Sequence, residues 1–222
     1  LTDRLTRAES WLRAASELEK NKKSEEIDNH TVFIFRYIAF NSLYGIWKLE
    51  ETENLAWKQF DRFFDNLLTL HSQDQKRKGM KGLILRDALA QCSSQWLRLI
   101  ENEFLDKKGY WDVQEHGTGF KDKYRSQKFT ALQRLKQHEY KVLLHSIFNR
   151  IWVLRNQIMH GGATFGSDSF GWESVKTANP VLRALIPAFY QLMGEYPDAG
   201  LWPAIPYPRY ESEQHPKRPS GS

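Results

Sequence analysis

The sequence predicts an all-α fold, an antiparallel helical bundle of about five to six helices that ends in an extended proline-rich tail. Three observations carry this reading. Apolar residues recur at three- and four-residue spacing over most of the chain. No stretch reads as a strand. Six of the eight prolines lie beyond Glu195, so nearly all of the preceding chain is free to be helical.

The elements follow in order. Leu5, Ala8, Trp11, Leu12, Ala15 and Leu18 mark one face of a first helix over residues 2–22. A charged connector, Asn21 to Asp28, leads to Asp28 or Asn29 as a cap. The second helix, 30–50, is apolar nearly all round through Phe33–Trp47 and belongs at the centre of the bundle. A third helix spans 53–70, with Leu55, Phe60, Phe63, Phe64 and Leu67 as its core stripe. Residues 71–82 are polar and basic and read as a loop. A fourth helix, 83–100, carries Leu85, Leu89, Trp96, Leu99 and Ile100. Residues 101–128 lack periodicity and read as an irregular insertion. The fifth and longest helix runs over 129–159, with Leu132, Leu135, Val142, Leu143, Ile147, Phe148, Ile151, Trp152, Leu154 and Ile158 inward. A Gly/Ser loop, 161–171, precedes a last helix over 172–194. Pro180 and Pro187 fall inside it, and one of them should kink it or begin a new segment.

These elements make one helical domain, 1–195, and a tail, 196–222. Leu201–Pro208 is apolar and stiff, so Trp202, Ile205 and Tyr207 are expected to lie on the domain surface. Order should hold to about Glu211, with disorder beyond it.

Composition excludes several classes. A hydrophobic fraction of 41% with eight Trp supports a heavy core. No apolar run approaches the ~20 residues of a membrane span, so no membrane is expected. The single Cys92 excludes an intramolecular disulfide and fits a reducing, cytoplasmic compartment. Net charge of +5 favours polyanionic partners. No metal-ligand cluster or Gly-rich phosphate loop is visible, so neither metal nor cofactor is expected.

The densest chemical signal is Arg155-Asn156-Gln157-Ile158-Met159-His160, closed by Gly161-Gly162. Arginine can neutralise a phosphate with a fork of donors. Histidine moves protons near neutral pH. Asparagine can orient either. A second Arg-to-His spacing, Arg209 to His215, lies in the tail without a helix around it and is read as accidental. A plain structural role also fits: an arginine satisfying carbonyls at a helix end, and a histidine before Gly-Gly as a C-cap. Positions five apart on a helix differ by about 140°, so Arg155 and His160 do not share a face while Asn156 and His160 do. Two motifs meeting in a dimer, or fraying at the glycine pair, would reconcile the mismatch.

This motif, placed late in a helical chain, resembles that of the HEPN superfamily. The apolar helix ending Ala39-Phe40-Asn41-Ser42-Leu43-Tyr44-Gly45 is similar to the early helix of bacterial members, and the likeness spans residues 28–195. The resemblance implies a homodimer whose two motifs face each other, and a metal-independent endoribonuclease with RNA as substrate. It implies that Arg155 binds the scissile phosphate, that His160 acts on the 2′-hydroxyl or the leaving oxygen, and that Asn156 holds the pair. The product would carry a 2′,3′-cyclic phosphate. It also brings a toxin or antiviral role, with an antitoxin or defence-system partner. The alternative it leaves is a non-catalytic module binding nucleotide, RNA or a protein.

Other candidates sit around this motif. Asn41 and Tyr44 are polar groups on a buried helix and need partners, with the motif helix a reasonable place to find them. Lys121, Lys123, Arg125 and Lys128, with Arg134 and Lys136, form a basic run suited to a phosphate backbone or to a solvated face. Lys76, Arg77, Lys78 and Lys81 are similar. Tyr110, Trp111 and Phe120 suit base stacking or loop anchoring. His138 and His145, seven apart on the motif helix, are expected in ordinary surface or core roles.

Overall fold

A computed structural model describes residues 1–20, 29–45, 53–106, 121–161 and 171–202. Every regular element in them is helical. The α-helices are α1 (Thr2–Lys20), α2 (Asn29–Tyr44), α3 (Glu53–Lys78), α4 (Ile84–Gln91), α5 (Ser93–Glu101), α6 (Lys121–Lys136), α7 (Tyr140–Met159) and α8 (Trp172–Glu195). Short 3-10 turns follow at Glu103–Leu105 and Ala199–Leu201. The bundle is therefore all-α, with eight α-helices among the described residues rather than five to six.

Phe40 marks the centre. Its ring lies 4.4 Å from Phe148 of α7, 5.7 Å from both Phe60 and Phe63 of α3, and 6.3 Å from Phe189 of α8. Aromatic rings at such spacings bury large apolar area in a fixed geometry. α2 is thus the buried helix that its near-continuous apolar run demands. It ends at Tyr44 rather than near residue 50. Arg4 of α1 donates to the carbonyls of Leu43 (3.0 Å) and Gly45 (2.6 Å), closing the helix end with a cation. α1 and α2 run antiparallel, with Arg4 at Leu43 and Trp11 at Phe35, as do α3 and α7, with His71 at Tyr140 and Phe64 at Phe148, while α8 contacts α2, α3, α4 and α5.

Several sequence expectations change. The stretch read as a polar loop, 71–82, is helical through Lys78, and α3 stops only at Gly79, whose φ is 68°. Its inward groups are polar: His71 and Asp74 are 5% and 0% exposed. The Asp74 carboxylate accepts from Ile84 N–H at the start of α4 (3.0 Å), from the Tyr196 hydroxyl beyond α8 (2.8 Å), and from Lys78 (2.9 Å). An apolar-periodicity reading cannot see a buried side that is ionic.

The helix expected over 83–100 breaks at Cys92 (φ −107°, ψ 21°) into α4 and α5. The indole N–H of Trp96 donates to the Leu89 carbonyl (2.8 Å), occupying an acceptor that the break would otherwise strand. The helix expected over 129–159 is two helices, because the chain turns at Gln137–Glu139. His138 adopts φ 61°, Glu139 N–H returns to Arg134 O (2.9 Å) and His138 N–H to Leu135 O (3.3 Å), the Schellman arrangement without its usual glycine. His138 Nδ1 lies 2.6 Å from the Tyr140 hydroxyl. α6 reaches back to Lys121, inside the stretch read as irregular. His138 and His145 therefore do not share a helix, and Val142, expected inward, is 42% exposed. Leu18 likewise faces out, at 40%.

α8 runs unbroken through Pro180 and Pro187, so neither begins a new segment. The two lie seven apart on its outer side, where the lost N–H groups face away from the core. At the tail, Trp202 is 8% exposed, with its ring 5.8 Å from Phe63, and Asn66 donates to Leu201 O (2.5 Å). The expectations for Ile205, Tyr207, the connector 21–28 and the segment after Glu211 lie outside the described residues. No helix among the described residues is long and apolar enough to cross a membrane.

Asp74 supplies the first prediction. Burial alone would raise its pKa, but the bonds from Lys78, Ile84 N–H and Tyr196 outweigh burial and hold it below the ordinary aspartate value. A depressed folded value means that the carboxylate's contribution is complete above the ordinary value, about 3.9, and is lost as pH falls through the folded one. Asp74→Ala should lower unfolding stability by about 3 kcal/mol at neutral pH. The deficit should shrink below about pH 4. Urea midpoints of wild type and variant that coincide at pH 7 would contradict it.

Candidate functional site

α7 owes its position to its own polar residues. Arg150, only 5% exposed, donates to the carbonyls of Leu105 (3.1 Å) and Ile100 (3.4 Å) and to Gln127 Oε1 (2.8 Å), with Asp106 at 3.4 Å. Two turns on, Gln157 Nε2 donates to Phe104 O (2.7 Å). One face of α7 thereby fastens the Glu103–Leu105 turn beside the motif. The other face is apolar, with Leu143, Leu144, Ile147, Phe148, Ile151 and Leu154 all in the core.

The motif occupies the last turn and exit of α7. Arg155 is half-buried and donates from Nη1 to Asn156 Oδ1 (3.0 Å). Its guanidinium carbon stands 5.8 Å from the ring centroid of Tyr37, within cation–π range. His160 is exposed and is the C-cap residue (φ −104°, ψ 13°), its N–H bonded to Asn156 O (2.9 Å). Gly161 follows at φ 73°, a left-handed stop. Arg155 and Asn156 are thus brought together. No hydrogen bond or ion pair joins Arg155 to His160, in keeping with their different faces.

Tyr37 is the residue that the motif pattern misses. Burial raises its phenol pKa, while a hydrogen bond with Tyr44 and the charge of Arg155 act the other way. Tyr37, Asn41 and Tyr44 form an i, i+4, i+7 polar stripe on an otherwise apolar helix, and that spacing was the available signal. Tyr44 finds its partner in Tyr37 and packs its ring 4.5 Å from Phe40. Asn41 Oδ1 is buried without a hydrogen-bond partner, so the motif helix does not satisfy it.

The basic candidates disperse. Lys128 pairs with Glu101 (3.0 Å). Lys78 is held between Asp74 (2.9 Å) and Glu195 (3.3 Å), and Arg77 stands over the Tyr196 ring (5.9 Å). Lys76, Lys81 and Lys136 are exposed, and Arg134 is half-buried. Lys121, Lys123 and Arg125 lie on α6, but their side chains fall outside the described residues, as do Tyr110, Trp111 and Phe120 altogether. His145 Nε2 lies 2.8 Å from Asp61 Oδ1, and the ring meets Phe64 edge-on. Among the described residues there is no group of three or more His, Cys, Asp or Glu placed to hold a metal ion. Buried Cys92 has its thiol pushed up to about 12 by burial, which leaves it an unreactive core residue.

Fold and site together define an all-helical domain that presents an Arg-Asn-His group at the end of a core helix. No family model, curated protein or solved structure matches the chain.

The stop at Gly161 is testable. A Cβ there meets no neighbour, so Gly161→Ala should cost only the left-handed backbone, about 1 kcal/mol, measured by chemical unfolding. A gain in stability would mean that this glycine does not hold φ near 73° in solution.

Proposed function

We propose that this protein is a metal-independent endoribonuclease of HEPN type, acting as a homodimer. The observation that carries the proposal is the grouping at the exit of α7: Arg155 bonded to Asn156, with His160 exposed on the glycine stop. In this reading the RNA 2′-oxygen attacks the adjacent phosphorus, and the bond to the 5′-oxygen breaks. One imidazole takes the 2′-hydroxyl proton and another delivers a proton to the leaving oxygen, which leaves a 2′,3′-cyclic phosphate. Arg155 neutralises the charge that grows on the phosphoryl oxygens. Since Arg155 and His160 point to different sides of α7, an Arg155 of one protomer works with the His160 of its partner, each motif near its symmetry mate. Met159 and Phe104, 54% and 41% exposed at this end of the molecule, supply apolar surface for such contact. The net charge of +5 suits an RNA substrate. A toxin or antiviral role in the cytoplasm, with an antitoxin or defence partner, belongs to the same reading.

One observation favours a second reading, a non-catalytic module that binds RNA, nucleotide or a protein. The Arg155 guanidinium already rests on Tyr37 and Asn156, an arrangement that a purely structural arginine would also adopt.

The test separates the two. Arg155→Ala and His160→Ala should each lower RNA cleavage by roughly 10²–10⁴-fold while fold and dimer persist. Cleavage should survive EDTA, spare DNA and leave cyclic phosphate ends. Purified protein that cuts no RNA, tRNA included, or cutting unchanged in His160→Ala, overturns the nuclease reading. Salt-dependent RNA binding without cleavage would then support the module.

A further inference from the structure

The seam between α6 and α7 is built the wrong way round for a helical hairpin. Two helices joined by so short a turn ordinarily face each other with apolar side chains. Here α6 turns Gln127, Thr130 and Arg134 towards Ser146, Asn149 and Arg150 of α7. Between them lies a cavity of about 360 Å³, with Ile100 and Ala131 as its apolar wall and Asp106 at one end. That volume is in the range of small-molecule sites.

The valences left over define what would fit. Asn149 Oδ1 is buried and has no hydrogen-bond partner, at a position where an apolar residue would avoid the cost of an unsatisfied acceptor. Arg134 keeps its guanidinium nearly unpaired, since Glu139 Oε2 approaches only to 4.0 Å, too far for a hydrogen bond. The Thr130 and Ser146 hydroxyls donate to Ser126 O and Val142 O, which leaves their oxygens as acceptors. By contrast Arg150 is committed to carbonyls, Gln127 and Asp106, and so serves as frame. Arg134 lies two turns from Gln127, about 10 Å along α6.

We propose that this cavity is a binding site for a small oxyanion that also carries N–H or O–H donors. The oxyanion pairs with Arg134, and a donor of the same molecule meets Asn149 Oδ1 between the two hydroxyls. Carboxylate and phosphate share this chemistry. The site is separate from the Arg155 motif and does not depend on the nuclease reading.

The probes are inorganic phosphate and glycylglycine, a carboxylate with N–H donors along its length. Each is titrated by calorimetry, and backbone amide shifts are followed over residues 127–134 and 146–150, with sodium chloride as the ionic control. Binding of either probe that shifts those amides is expected, and the stronger probe names the source. Arg134→Gln, at the rim, should weaken it by roughly tenfold or more. Asn149→Leu should weaken both probes, since the N–H groups of glycylglycine and the P–O–H of phosphate each supply the donor that meets Asn149 Oδ1. If neither probe moves these amides beyond the chloride control, or if both variants bind as wild type does, the site does not exist and the cavity is a hydrated crevice. RNA cleavage by wild type and Asn149→Leu should be equal, which keeps this outcome distinct from that of the motif variants.

Discussion

The carboxylate of Asp74 is the constraint around which this bundle closes. It is fully buried, and its three bonds reach the start of α4, the residue after α8 and the last turn of its own helix. Without it the start of α4 would lack a side-chain acceptor, since Leu83 at the N-cap offers none. Lys78 extends the junction to Glu195 at the C-terminal end of α8. Apolar burial supplies most of the bundle's stability, but it is non-directional. The ionic junction fixes which ends meet. Comparable roles fall to Arg36, which joins Glu19 of α1 (2.5 Å) to the Asn179 carbonyl of α8 (3.3 Å), and to Arg150 under the motif.

The same buried charges explain where the sequence was opaque. α2 and α8 were legible because their inward faces are apolar, and Phe33, Phe40, Leu182 and Phe189 announce them. The second half of α3 was not, since His71, Asp74 and Lys78 have the pattern of a solvated segment. The break at Cys92 was hidden because apolar spacing continues across it into Trp96 and Leu99. The turn at His138 was hidden for a different reason. A left-handed residue is usually marked by glycine, and histidine here carries the strain with Tyr140 as its hydrogen-bond partner.

At the candidate site, legibility was divided in the same way. Arg155, Asn156, His160 and the glycine stop could be read directly, because spacing on one helix and a terminator are local properties. What surrounds them is not local. The contact of Arg155 with Tyr37 joins α7 to α2, and that of Gln157 with Phe104 O joins α7 to a turn some fifty residues earlier in the chain, about as far as the Arg150 bonds reach. Only Tyr37 left a trace, as one member of a polar stripe on an apolar helix. The polar seam of α6 and α7 could not be seen while the two were read as one helix, since residues on one helix cannot face each other.

The two prolines of α8 have a consequence for how the molecule meets others. Neither Pro180 nor Pro187 can donate to the carbonyl four residues back, so those of Lys176 and Arg183 lack their helical donor, on the side where Lys176, Arg183 and Pro187 are exposed. Water satisfies such groups at little cost. A dry apolar partner would strand them, at about 1–3 kcal/mol each. The outer side of α8 is therefore self-insulating: it stays wet, and it resists aggregation through a backbone property rather than through charge.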